Sequence, residues 1–110
     1  MTRDITIGGK AVTMTANAAS VHIYKHIFGK DFLKMATAKD VDPSILEEMG
    51  FVMHLQATTG TTAALKKTAA DFLNWLAEFG PMDVLNAANE IMALYLEQGK
   101  TSSDPKKDNG

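Results

Sequence analysis

A glycine pair between two alternating runs limits the fold more than any other feature. In Asp4-Ile5-Thr6-Ile7 and in Val12-Thr13-Met14-Thr15, apolar and polar residues alternate on either side of Gly8-Gly9. Successive side chains of a strand point to opposite faces, so this alternation marks two half-buried strands joined by a turn. Two registers are open. A turn on Gly8-Gly9 opposes Ile7 with Lys10, whereas a turn on Gly9-Lys10 opposes Ile7 with Val12 and Ile5 with Met14. The second sets apolar against apolar and suits the Gly-X preference of a type II′ turn, so it is the preferred register. Either register leaves one apolar face, and an isolated hairpin is marginal in water. The hairpin, about 3–15, must therefore lie on the rest of the chain.

That remainder is helical, over about 18–98. A first helix runs from about Ala18 to Phe28, with Asn17 or Ser20 as start. Val21, Ile23, Tyr24, Ile27 and Phe28 share a stripe, and His22, Lys25 and His26 lie opposite. Gly29 stands where a C′ glycine belongs. Asp31 opens a short helical segment to about Ala38. Asp42-Pro43 starts a third helix, an N-cap acid followed by proline at N1, running to about Ala57. Its Ile45, Leu46, Met49, Val52 and Met53 form one face, while Phe51 and Leu55 point the other way, which places this helix centrally. Thr58 to Thr62 read as a loop.

Thr68-Ala69-Ala70-Asp71 resembles a capping box with Asp in place of Glu, and starts a helix to about Phe79. Phe72, Trp75, Leu76 and Phe79 cluster on it, with Leu73 at the margin. Whether Ala63 to Lys67 extend it backwards stays open. After Gly80-Pro81, a last helix runs from about Met82 to Gln98. Val84, Ala88, Ile91 and Tyr95 centre its stripe. Leu85, Met92 and Leu96 widen it on one flank, Ala87 and Leu94 on the other. The resulting arc of ~200° exceeds what a one-sided surface helix needs. Gly99 is the expected stop, and 100–110 carry no hydrophobic side chain, which reads as a solvated tail or linker.

The reading is an α+β domain over 1–99, an N-terminal β-hairpin followed by four to five helices. Its 110 residues suit one domain. At 45% hydrophobic and no cysteine, the chain is neither disordered nor a disulfide or cysteine-ligated zinc scaffold. No apolar run of ~20 residues is present to span a membrane, and the first residues lack the pattern of a signal peptide. A soluble intracellular protein is expected. The net charge of −2 and the scattered basic residues disfavour nucleic acid, which needs a clustered positive surface.

Little in the chain points to catalysis. His22 and His26 stand at the i, i+4 spacing that can chelate zinc. The usual neighbouring glutamate is replaced by Ile23, Lys25 would repel a cation, and no third ligand is placed. They read as solvated histidines, with His54 on another helix. A small metal-dependent enzyme using this pair is the weaker alternative. Glu47-Glu48 are neighbours about 100° apart, not a facing pair, and sit where the helix dipole favours acid. No serine has a nucleophile context, and Gly8-Gly9-Lys10 lacks the spacing of a phosphate loop. No enzyme, metal or cofactor is expected. The seven methionines and five phenylalanines carry more information, since flexible apolar side chains serve surfaces that accept varied partners.

Taken in order, Asp4-Ile5-Thr6-Ile7-Gly8-Gly9-Lys10, a second strand, then Thr15-Ala16 leading to a helix with Tyr24 and the end Ile27-Phe28-Gly29-Lys30-Asp31, resembles the tail assembly chaperones of long-tailed (siphovirus-type) bacteriophages and prophages. The segment from Asp71 to Phe79, Asp-Phe-Leu-Asn-Trp-Leu-Ala-Glu-Phe, is also similar to that family. The resemblance covers about Ile5 to Leu96. It implies a non-enzymatic protein of the host bacterial cytoplasm, absent from the mature virion, that coats and solubilises the tape measure protein. It further implies a longer form, made by programmed frameshift, that recruits tail tube protein. Trp75, Phe79, Leu85, Met92 and Leu96 are the expected partner or self contacts. Free hairpin edges and surplus apolar helix area leave room for a homo-oligomer. The alternative is a small helical adaptor with one defined protein partner.

Overall fold

The apolar face of the hairpin lies across a central helix, and the remaining helices close around that contact. The computed structural model describes residues 2–101, with side chains as far as Glu97. Strands β1 (Thr2–Ile7) and β2 (Lys10–Thr15) pair antiparallel. Among the described residues seven helical segments come after them: α1 (Ser20–Phe28), α2 (Phe32–Ala36), α3 (Ser44–Thr58), α4 (Thr61–Ala64), α5 (Ala69–Leu76), α6 (Asp83–Asn86) and α7 (Ala88–Thr101). The domain is α+β as expected from sequence. The helical segments exceed the four to five expected because α4 is additional and α6 is split from the expected last helix.

The hairpin register corrects the sequence-based preference. Ile7 opposes Lys10, Ile5 opposes Val12 and Arg3 opposes Met14. Gly8 and Gly9 both have positive φ, 56° and 82°, so together they meet the requirement of a type I′ turn at both corners, whose twist matches that of the strands. Lys10 tolerates its place opposite Ile7 because it leaves the apolar face at the edge. Its Nζ lies 5.3 Å from the centroid of the Phe79 ring and donates to the Glu78 carbonyl at 3.2 Å. Ile5, Ile7, Val12 and Met14 are all buried, at about 1.5–3 kcal/mol each for removal of such side chains from water.

β2 carries the hairpin's main contact with α3. The His54 Nδ1–H donates to the outward-facing Thr13 carbonyl at 2.8 Å, so one free edge group of β2 is satisfied from the helix beneath. α3 is buried on several sides, from Ile45 through Gln56. At Gly50 a Cβ would stand 2.9 Å from Ile91 Cδ1 and 3.5 Å from Met14 Cε. A residue without a side chain is what lets α7 and β2 approach α3 here.

Helix ends obey the local chemistry. Asn17 Oδ1 accepts from the Ala19 N–H at 2.9 Å, and Ser20 Oγ accepts from the Asn17 N–H at 3.0 Å. These bonds close the turn that leads into α1, whose N-cap is Ala19 with no side-chain cap. Gly29 closes that helix in the left-handed conformation. The Asp31 carboxylate caps α2 through the Lys34 N–H, and the Thr68–Asp71 capping box is formed. α3 starts one residue later than expected, with Pro43 at its N-cap and the Asp42 carboxylate accepting from the Ser44 N–H.

Several boundaries differ from expectation. Thr61 and Thr62 open α4, so the loop narrows to Thr59-Gly60, with Gly60 at φ 89°. The last helix is broken at Ala87, which caps α6 with φ/ψ of −91°/0°. Its N–H turns to the Val84 carbonyl in a tighter turn. On either side of the break, Val84 on α6 and Ala88, Ile91 and Leu94 on α7 all reach the interior. α7 also passes through Gly99 to Thr101. A glycine inside a helix costs only about 1 kcal/mol relative to alanine and need not end it. The polar tail expected over 100–110 lies, beyond Thr101, outside the described residues.

Candidate partner surface

The aromatic residues are scattered in sequence yet join in space. The one tryptophan, two tyrosines and five phenylalanines form a connected run of rings. From α7, Tyr95 meets Phe32 at a centroid distance of 5.3 Å, and Phe32 meets Tyr24 at 5.3 Å. Tyr24 meets Phe28 at 5.1 Å, and Phe28 stands edge-on to Phe72 at 5.3 Å. Phe72 then contacts both Phe51 and Trp75, and Trp75 contacts Phe79. These tilted and edge-to-face geometries suit the ring quadrupole. The run links α1, α2, α3, α5 and α7.

The five residues expected at a contact surface occupy different depths. Trp75 is buried, stacked on the His54 ring and packed against Phe51. Phe79 is half-buried between Trp75 and the Lys10 ammonium. Leu85 is half-buried on α6, and the break at Ala87 separates it from the other two. Met92 and Leu96 share one face of α7, four residues apart. Met92 is half-buried and Leu96 is 51% exposed. Sequence reasoning sets Leu73 at the margin of its stripe, but its side chain is 62% exposed on α5.

Polar side chains within the fold tie elements together. Ser20, fully buried, donates to Gln56 Oε1 at 2.5 Å, and Gln56 Nε2 donates to Asn17 Oδ1 at 2.9 Å. This links the start of α1 to the end of α3. The Tyr24 hydroxyl donates to Glu48, which also holds the Lys30 ammonium at 3.0 Å. Burial first, and the Glu48 carboxylate second, push the Tyr24 phenol well above its ordinary range. The neighbouring Glu47 has its carboxyl raised, chiefly by desolvation and then by the charges of Glu48 and Asp42.

His22 and His26 are both exposed on α1. His22 lines a shallow groove with Val21, Lys25, Asp31, Phe32 and Leu33. His54 is committed to the Thr13 carbonyl. Among the described residues no group of three or more His, Asp or Glu side chains is placed to hold a metal ion. No helix among them is long and apolar enough to cross a membrane. In comparisons with known proteins, the chain matches no family model, no curated protein and no solved structure.

Proposed function

We propose that this chain is a non-enzymatic assembly chaperone of a long bacteriophage or prophage tail, binding and solubilising the tape measure protein in the host cytoplasm and absent from the mature virion. The observation that carries the reading is the Met92–Leu96 face of α7, a short apolar strip left partly open beside the buried Ala88, Ile91 and Leu94. An unassembled helical rod exposes apolar stripes, and such a strip can cover one by helix-to-helix packing. Contacts this small are individually weak, which suits release, while many copies along one rod supply the total. A longer frameshifted form would add recruitment of tail tube protein.

The test is affinity capture from cells expressing the native locus, with Met1 tagged, compared between wild type and Leu96→Glu. Recovery of a long helical protein and of a C-terminally extended bait, both reduced by Leu96→Glu, is the expected result. Recovery of one small globular partner at fixed stoichiometry replaces this reading with the adaptor.

A further inference from the structure

We infer that the outer face of α5 is a self-complementary contact, on which a second copy of this chain packs its own α5 antiparallel about a two-fold axis at Leu73. This rests on α5 alone and is independent of the proposed chaperone role.

Surface helices normally turn charged side chains outward. α5 does the reverse. Its exposed residues are Ala69, Ala70, Leu73 and Asn74, followed by Ala77 at its C-cap. Its single charged residue, Asp71, is engaged with Thr68 in the capping box. Leu73 is the most exposed large hydrophobic side chain among the described residues, at 62%. Ala69 and Ala77 lie four residues to either side of it, on the same face. An antiparallel copy therefore sets Leu73 on Leu73 and Ala69 on Ala77, and the alanines permit helix axes to approach to about 8 Å.

The charges select both the occupant and its direction. Lys66 and Lys67 precede the N-terminus of α5 and Glu78 lies just past its C-terminus. Each stands at the end of the helix where the macrodipole disfavours its own sign. Among the described residues none of the three has an ion-pair partner; the ion pairs there are Arg3–Glu97 and Lys30–Glu48. An antiparallel neighbour brings Lys66 and Lys67 of one copy beside Glu78 of the other, at both ends of the contact. A parallel neighbour would set like against like. Complementarity of this face to itself is what favours a second copy over an unrelated helix. Two helices of this length bury much less than the roughly 800 Å² per partner of a stable interface, so a weak, reversible dimer is expected.

The chain has no cysteine, so single-cysteine variants report contacts cleanly. Purified full chain should show concentration-dependent dimerisation by sedimentation up to about 1 mM, a range set by the small interface. Leu73→Glu should weaken it at least tenfold without changing the thermal melt. Leu73→Cys should cross-link to itself under mild oxidation far faster than Leu96→Cys, which is similarly exposed. Glu78→Lys alone and Lys66→Glu with Lys67→Glu should each dimerise poorly, and an equimolar mixture of the two should recover dimer as the mixed pair. A monomer throughout the range, equal cross-linking at 73 and 96, or a mixture no better than its components would overturn the inference. A Leu73 face that stays monomeric yet is shielded by a helical partner would reassign it to that partner.

Discussion

Where the hairpin, α3 and α7 meet, the buried side chains are aliphatic or thioether: Ile5, Ile7, Val12, Met14, Met49, Met53, Ile91 and Leu94, all at 5% exposure or less. Toward α1, α2 and α5 the packing is aromatic, and the ring run reaches half-buried positions at Phe28, Phe79 and Tyr95. The difference arises from the elements being joined. A twisted two-stranded ribbon laid on a helix leaves irregular gaps, and unbranched methionine fills them. Short helices with few backbone contacts are better joined by rigid plates that each touch several neighbours. One region is closed and adaptable, the other stiffer and open at its ends.

Truncation tests that contrast most strongly. Trp75→Ala should cost about 3–5 kcal/mol in urea denaturation, because four rings lose a neighbour at once. Met14→Leu, at a site of 0% exposure, should cost less than about 1.5 kcal/mol, because the volume is kept. Equal losses at the two sites would erase the distinction between the regions.

Next in size is Tyr24→Phe, which keeps the ring contacts and removes only the hydroxyl. It should cost about 1.5–3 kcal/mol, the range for a hydrogen bond to a charged group. A loss near zero would mean that the ring alone holds this end of the aromatic run. The phenol adds a pH signature. Its proton is held in the fold above its ordinary value of 10.0, so the unfolded chain releases it first as pH rises past 10. Wild-type stability should therefore fall with alkaline pH more steeply than that of Tyr24→Phe.

The close approach at Gly50 gives a smaller effect with a defined sign. Gly50→Ala forces a methyl toward Ile91 Cδ1, but it gains about 1 kcal/mol of helix propensity. In an Ile91→Val background that carbon is gone, so the same substitution should turn more favourable by about 1 kcal/mol in a double-mutant cycle. Strict additivity would show that α3 and α7 are not in tight contact there. Smallest is Glu47→Gln. The carboxyl of Glu47 is raised, so its ionised form weakens the fold: the folded state holds the proton in the window just above 4.5, and stability falls as pH rises through it. Glu47→Gln should raise the urea midpoint slightly at pH 7 and leave it unchanged near pH 3.5.

Legibility from sequence divides along the same line. The hairpin is readable because alternation about Gly8-Gly9 is local, and α3 because its apolar residues exceed one face. Its register is not, because cross-strand apolar pairing carries no sign that Lys10 can reach Phe79, 69 positions further on. The break at Ala87 leaves no mark, since alanine is a good helix former. The ring run is invisible because its members come from five helices and share no period. Of the candidate surface, helical phase finds Leu96 and the half-buried Met92. It also selects Trp75, because a single helix cannot show that α3 covers it. It misses Leu73, because the stripe that buries Phe72 and Trp75 also defines what stays outside.

The bond between Arg3 and Glu97 links residues 94 positions apart, and thereby sets the two ends of the described chain side by side. From Glu97, α7 continues four residues, about 6 Å, to Thr101. A short linker could therefore join the ends and convert the domain into a closed ring. New ends could then be opened at the exposed Thr59-Gly60 step, where the backbone already turns sharply between α3 and α4. Such a permutant would keep every core contact while making the hairpin an internal segment, and the domain could equally be spliced as a cassette into the loop of a host protein.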